Sequence, residues 1–173
     1  MALYEAEVER HANLLREQGY EPPTDAEFVR FIELDEYATV HVECLQRQGI
    51  PAQATFDGGI KFGDIPDDQA QAQHEAIHRC EVMYPVHPRY SLPHTPEQIR
   101  IIYDYYTETV VPCLAAEGYD VGTPPSWETF LASYGTPSQW VPYASVDTPT
   151  EEEWERINTV CPQSPPLEEL YGD

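Results

Sequence analysis

Basic side chains are scarce in this chain of 173 residues, in which nine Lys and Arg face 31 Asp and Glu. Only one residue is a lysine, Lys61, and the formal net charge is −22. Such a charge repels the phosphates of nucleic acids and anionic lipid surfaces, so we expect neither as a partner. The acids are spread along the chain without a calcium-loop pattern. We therefore interpret them mainly as a solubility feature, with attraction of basic peptides or divalent cations as the alternative.

Several patterns that identify enzymes and membrane proteins are also missing. The chain has no CxxC pair, phosphate-binding loop, nucleophile elbow or dinucleotide fingerprint. These absences argue against a zinc ribbon and against the enzymes that use those motifs. No apolar stretch reaches the length of a membrane span, and the first residues lack the basic and apolar regions of a signal peptide. We therefore expect no transmembrane segment in this chain.

Cysteine is present at positions 44, 80, 113 and 161. An even number of cysteines at wide spacing is typical of two disulfides in an oxidising compartment. The spacing alone leaves all three connectivities of four cysteines open.

An internal repeat favours one of these connectivities. When Cys44 is placed on Cys113, other residues coincide as well: Tyr37 with Tyr106, Val42 with Val111, Leu45 with Leu114 and Gly49 with Gly118. Each copy is followed by a predicted helix that carries a second cysteine. We therefore predict a single domain, 1–173, with repeated units 24–83 and 95–161 that are stapled by the disulfides Cys44–Cys80 and Cys113–Cys161.

Hydrophobic periodicity and helix-end signals predict a mainly α fold of six to seven helices with one short β-hairpin. The main helices are expected at residues 3–18, 24–49, 66–83, 95–118, 126–133 and 150–160. The helix at 95–118 is expected to kink at Pro112. The hairpin is expected within 52–62, with a two-residue turn at Asp57-Gly58. Residues 162–173 are expected to be extended.

Part of the chain is similar to a known class of proteins. The stretch Glu43-Cys44-Leu45-Gln46-Arg47-Gln48-Gly49-Ile50-Pro51, preceded by Tyr37 and followed by Asp57-Gly58-Gly59 and Cys80, resembles small actinobacterial secreted proteins and lipoproteins. The resemblance covers residues 37–80 well and 103–161 loosely. That class has no settled activity. The resemblance therefore implies disulfides and an extracytoplasmic location, either secreted or held by a lipid anchor upstream of this chain, and implies no mechanism.

One motif carries recognisable chemistry, because His74-Glu75-Ala76-Ile77-His78 matches H-E-x-x-H. On a helix, two histidines at this spacing share a face and can bind zinc, while the glutamate activates a metal-bound water. The charged Arg79, the neighbouring Cys80 and the lack of a downstream G-x-x-H argue against a metalloprotease. We predict no catalytic residue, metal or cofactor. The alternative is a small zinc hydrolase with His74 and His78 as ligands and Glu75 as the base.

An aromatic cluster suggests a different kind of site. Tyr103 and Tyr106 share a predicted helix, and Trp127 and Trp140 follow in a loop-rich stretch. Such side chains suit a binding surface for a peptide or protein, although core packing is the favoured interpretation. Our leading hypothesis is a non-enzymatic cell-envelope or secreted binding protein, whose partner is an unknown envelope or extracellular protein or peptide. A purely structural envelope component is a further alternative.

Overall fold

The computed structural model describes residues 2–147 and 150–172, and these residues are mainly helical with one β-hairpin. Contacts divide the chain into two compact units, Met1–Leu92 and Pro93–Asp173. Each unit contains one disulfide, and the pairs are Cys44–Cys80 and Cys113–Cys161. The predicted fold class and disulfide pairing are therefore confirmed, whereas duplication of a single ancestral unit stays a prediction.

Within residues 2–92, unit 1 contains three α-helices and the hairpin. The helices are α1 (Ala2–Glu17), α2 (Tyr37–Arg47) and α3 (Ala70–Met83). Strand β1 (Ala52–Ala54) pairs antiparallel with β2 (Ile60–Phe62). The hydrophobic core lies between α2, the hairpin and α3, and its buried members are Cys44, Leu45, Ile50, Ala52, Ala76 and Cys80.

The hairpin turn is one residue longer than predicted. The backbone N–H of Thr55 donates to the Gly59 carbonyl at 3.0 Å, so Phe56, Asp57 and Gly58 form the loop. The Gly58 N–H donates to the Thr55 carbonyl, and Gly58 has φ +80°. This is the three-residue loop with a left-handed glycine at its third position.

The helix predicted from Thr24 to Gly49 is wrong over its first part, because residues 24–33 form no α-helix. Here the Val29 N–H donates to the Met83 carbonyl at 2.9 Å and the Ile32 N–H donates to the Pro85 carbonyl at 3.0 Å. The last residue of α3 and the chain just beyond it thus supply the acceptors that a helix would have supplied. A capping box between Glu33 and Glu36 opens a 3-10 turn (Leu34–Glu36), and α2 follows it.

Unit 2 is built on one long helical segment. Helix α4 (Pro96–Tyr105) continues through a π-helical turn (Tyr106–Val110) into α5 (Val111–Ala116). A π-helical turn directly precedes the segment in which a kink at Pro112 was predicted. Proline has no N–H and its ring crowds the carbonyl four residues earlier, that of Glu108, which lies in this widened turn. The capping box of Thr95 and Gln98 opens α4 as predicted.

Three shorter helices pack onto this segment or onto one another in unit 2: α6 (Trp127–Ser133), α7 (Glu151–Val160) and α8 (Leu167–Tyr171). The expectation of an extended tail is wrong for α8. Leu170 packs with Ile99, Ile102 and Phe130. His94 lies between the hydroxyls of Tyr134 (2.6 Å) and Tyr171 (3.0 Å) and so joins α8 to the residue that ends α6.

None of the helices in residues 2–147 and 150–172 combines the length and apolar character that a membrane span requires.

Candidate functional site

Helix α3 places the histidines of the H-E-x-x-H match against protein rather than against solvent. His78 is only 4% exposed, and the nearby His11 and Arg16 belong to α1. The imidazole of His74 stacks on the ring of Tyr20, just beyond α1, with 5.0 Å between ring centroids. Both imidazoles are therefore part of how unit 1 packs.

The glutamate of the motif is engaged with neighbouring polar side chains. Glu75 accepts a hydrogen bond from Gln71 at 2.8 Å and lies 3.6 Å from the Arg79 guanidinium, which itself pairs with Asp25 at 2.9 Å. Within the part of the chain that the structure describes, no group of three or more His, Cys, Asp or Glu side chains could hold a metal ion. The zinc alternative lacks a third ligand among these residues and stays a prediction.

His78 is buried among positively charged groups, and one of its ring nitrogens has no hydrogen-bond partner. Its Nδ1 atom is buried without a hydrogen-bond partner. Burial lowers the pKa of His78 below its ordinary value of 6.5, and the positive charges of His11, Arg79 and Arg16 lower that pKa further. His78 is therefore held neutral where α3 faces α1.

The four aromatic residues proposed from sequence as a binding surface do come together in unit 2. Tyr103, Tyr106 and Trp140 surround the fully buried ring of Phe130, with ring centroids 5.2, 6.1 and 6.4 Å from it. Trp127 packs edge-on against Tyr103 at 5.6 Å.

The outer side of this cluster is partly covered. The guanidinium of Arg100 lies over the rings of Trp127 and Tyr103, at 5.0 and 5.6 Å from their centroids. The Tyr103 hydroxyl donates to the Pro125 carbonyl at 2.8 Å. This geometry favours the core-packing interpretation, and a binding role for the four aromatic residues stays a prediction.

A buried polar cluster lies between α2 and α3 in unit 1, because the Cys44–Cys80 disulfide holds these helices together. The imidazole of His41 is 2% exposed, and its Nε2 donates to the Tyr84 carbonyl at 2.9 Å, since a carbonyl can only accept. Its Nδ1 faces the Glu81 carboxylate at 3.6 Å. Glu81 also accepts a hydrogen bond from the Tyr37 hydroxyl at 3.0 Å.

The side chain of Glu81 is held in place by its neighbours in this cluster. Burial raises the pKa of Tyr37, and the charge of Glu81 raises it further, so the phenol stays protonated and remains a donor to the carboxylate. We refer to Tyr37, His41 and Glu81 as the polar cluster. It fixes a carboxylate in a side chain that is only 16% exposed.

Two adjoining cavities lie beside α1, and we call them together the α1 groove. Both are lined by Tyr4, Glu7, Pro85 and Val86. The cavity of about 50 Å³ is completed by Val8, His11, Glu81 and Val82, and we name it the inner cavity because Glu81 lines it. The cavity of about 110 Å³ is completed by Leu3, Ala6, Phe31, Pro88 and Ser91, and we name it the outer cavity. Both cavities are thus lined by the Glu7 carboxylate, and the inner one is lined by the Glu81 carboxylate as well.

Glu81 belongs both to the polar cluster and to the lining of the groove. Arg10 interacts electrostatically with Glu81 and with Glu7, the other groove carboxylate. Arg10 forms an ion pair and hydrogen bond with Glu7. The hydrogen bond to Glu7 raises the pKa of Arg10, and the charge of Glu81 contributes to this shift. Positive charge near these two carboxylates is therefore favourable.

Comparison of the chain with protein-family models, curated proteins and solved structures gives no match.

The polar cluster and the groove were not found from the sequence, although one signal pointed to them. Tyr37 and His41 lie seven and three residues before Cys44, on the same face of α2, and Glu81 directly follows Cys80. The predicted disulfide between these cysteines would have brought the three polar side chains together. The cavity walls were missed because residues 28–32 were expected to be helical.

Proposed function

We propose that this chain is a non-enzymatic, extracytoplasmic binding or accessory protein whose partner is a basic peptide or protein. Two disulfides support a location outside the reducing cytosol, since such bonds persist in oxidising compartments. Secretion, or attachment through a lipid anchor upstream of this chain, is part of the proposal.

The proposal rests on the observation that most of the few basic side chains are already engaged in ion pairs within the protein. Of the nine Lys and Arg, one is Lys61, so eight are arginines. In the described part of the chain, seven of these arginines form ion pairs with carboxylates: Arg10, Arg16, Arg30, Arg79, Arg89, Arg100 and Arg156. The large excess of acids is left to face solvent or a partner.

An excess of this kind favours association with cations. A strongly negative surface attracts basic partners within about a Debye length and raises their association rate. Charge complementarity also disfavours acidic partners.

The test is binding of a fluorescent polylysine probe, measured by anisotropy at rising salt, with polyglutamate as the matched control. We expect polylysine to bind, with an affinity that falls roughly tenfold or more between about 50 and 200 mM salt, and polyglutamate not to bind. Absence of polylysine binding at low salt, or binding that salt does not weaken, would contradict the proposal.

A further inference from the structure

We propose that the α1 groove binds a lysine side chain of a basic peptide segment. This inference rests on the proposed function and names the group that the acidic protein recognises.

The outer cavity has the walls that a lysine stem requires. Tyr4, Phe31, Val86 and Pro88 present aromatic and aliphatic surface along it. The ring centroids of Tyr4 and Phe31 lie 6.2 Å apart in an edge-on arrangement, so these two side chains of the wall pack against each other. The four methylene groups of a lysine gain favourable free energy when they leave water for such a surface, while the ammonium lies in the adjoining inner cavity.

The inner cavity has the groups that an ammonium requires. Glu7 reaches it from α1 and Glu81 reaches it from α3, so the negative charge comes from two sides. The Glu81 carboxylate is already held by the Tyr37 hydroxyl at 3.0 Å, and such preorganisation lowers the entropic cost of binding.

The small size of the inner cavity favours lysine over arginine. An ammonium is a compact point charge that can lie between two separate carboxylates. A guanidinium is a broad planar fork that binds best to one carboxylate along its edge. The inner cavity measures about 50 Å³, and its carboxylates belong to different helices.

Arg10 lines neither cavity of the groove, but it competes with an incoming lysine for the Glu7 carboxylate. Its guanidinium is bound to Glu7 and is stabilised by the charge of Glu81, yet its side chain is 55% exposed. An incoming lysine must share or displace this ion pair. Removal of Arg10 should therefore strengthen binding, whereas removal of the Glu7 charge should weaken it.

The experiment measures anisotropy of a short fluorescent peptide of alternating lysine and alanine at low salt. Glu7→Gln should weaken binding about tenfold, and Arg10→Ala should strengthen it severalfold. The matched controls are Glu9→Gln and Arg16→Ala, which change the same charges in another ion pair of α1. We expect these controls to change the affinity by less than about twofold.

A second pair of variants tests the outer cavity. Val86→Phe should fill the groove and weaken binding about tenfold, whereas Val29→Phe, at a position 52% exposed outside it, should have little effect. Circular dichroism and thermal melting establish that both variants fold. If Val86→Phe does not fold, Val86→Leu, which adds less bulk at the same wall, takes its place in the comparison.

The outcomes separate this inference from the proposed function. Equal losses in Glu7→Gln and Glu9→Gln would overturn the groove while leaving binding to the acidic surface intact. Tighter binding of the corresponding arginine peptide, or unchanged binding of an acetyl-lysine peptide, would overturn the choice of a lysine ammonium. No binding of the lysine peptide to the unaltered protein would overturn both proposals.

Discussion

Units 1 and 2 share a frame and differ in what it encloses. In each unit a helix with a cysteine ends in the sequence Leu-x-x-x-Gly and is joined by a disulfide to a later helix, with Cα atoms 5.9 and 5.8 Å apart. The helix ends match in detail. The Ile50 N–H donates to the Leu45 carbonyl at 3.0 Å, and the Tyr119 N–H donates to the Leu114 carbonyl at 2.9 Å.

One difference lies at a matched, buried position of this frame. The alignment of Cys44 with Cys113 places His41 of unit 1 on Val110 of unit 2, and both residues are buried. His41 belongs to the polar cluster beside the α1 groove, whereas Val110 belongs to an apolar core with Leu114 and Ile157. The same frame therefore encloses buried polar chemistry in one unit and apolar packing in the other, which places the candidate site in unit 1.

The largest expected effect comes from the disulfides. Replacing Cys44 and Cys80 by Ala, or Cys113 and Cys161 by Ala, should cost about 4 kcal/mol in either unit, because the closed loops are of similar length, with separations of 36 and 48 residues. Hydrogen exchange resolved by mass spectrometry reports each unit separately. Equal loss of protection in both units from one pair of replacements would contradict the claim that each disulfide stabilises its own unit.

A swap at the position that differs should show which unit depends on polar contacts. His41→Val should destabilise unit 1 by about 1–3 kcal/mol, because the Tyr84 carbonyl loses its donor and Glu81 loses its neighbour. Val110→His should destabilise unit 2, since the imidazole would be buried among apolar side chains. Urea denaturation of the two variants measures both effects, and a neutral His41→Val would show that the polar cluster is dispensable.

A single hydroxyl should have a smaller effect in unit 2. Tyr143 is buried, and its hydroxyl donates to the carbonyls of Ile157 (3.1 Å) and Cys161 at the end of α7. Burial raises the pKa of Tyr143 to about 12, so the hydroxyl stays a donor at neutral pH. Tyr143→Phe should cost about 1 kcal/mol in thermal or urea unfolding. An unchanged stability would mean that water replaces this contact.

Acidification should weaken unit 1 through His78. The folded-state pKa of His78 lies below the ordinary value of 6.5, so the unfolded chain binds the proton first as the pH falls. Stability is therefore complete above about pH 6.5 and is lost below it, at no more than about 1.4 kcal/mol per pH unit for one group. His78→Gln should flatten the profile of urea midpoints between about pH 7 and 5. An identical profile in this variant would exclude His78 as the source.

Much of the fold could be predicted because its signals are local. Gly49 and Gly118 mark helix ends, Thr95 and Gln98 mark a helix start, and the repeat indicated the disulfide pairing. Residues 28–32 were mispredicted because their hydrogen-bond partners, Met83 and Pro85, lie far away in the sequence. Local capping patterns cannot report such a competitor.

The candidate site was harder to predict for a similar reason. The H-E-x-x-H match is local, and the structure shows its histidines packed near α1 and Tyr20. Glu7 and Glu81 are separated by most of unit 1 and are two among 31 acids, so nothing in the sequence distinguishes them. Only the packing of α1 near residues 82–86 brings them to one cavity.

The central claim is that unit 1 provides the site for a basic partner. Titration of isotope-labelled protein with the lysine–alanine peptide, followed by amide chemical shifts, tests it most directly. We expect the shift perturbations to concentrate on α1 and on residues 81–88, and the amide shifts of unit 2 to stay unchanged. Perturbations centred on Tyr103, Trp127 and Trp140, or spread evenly over both units, would contradict it.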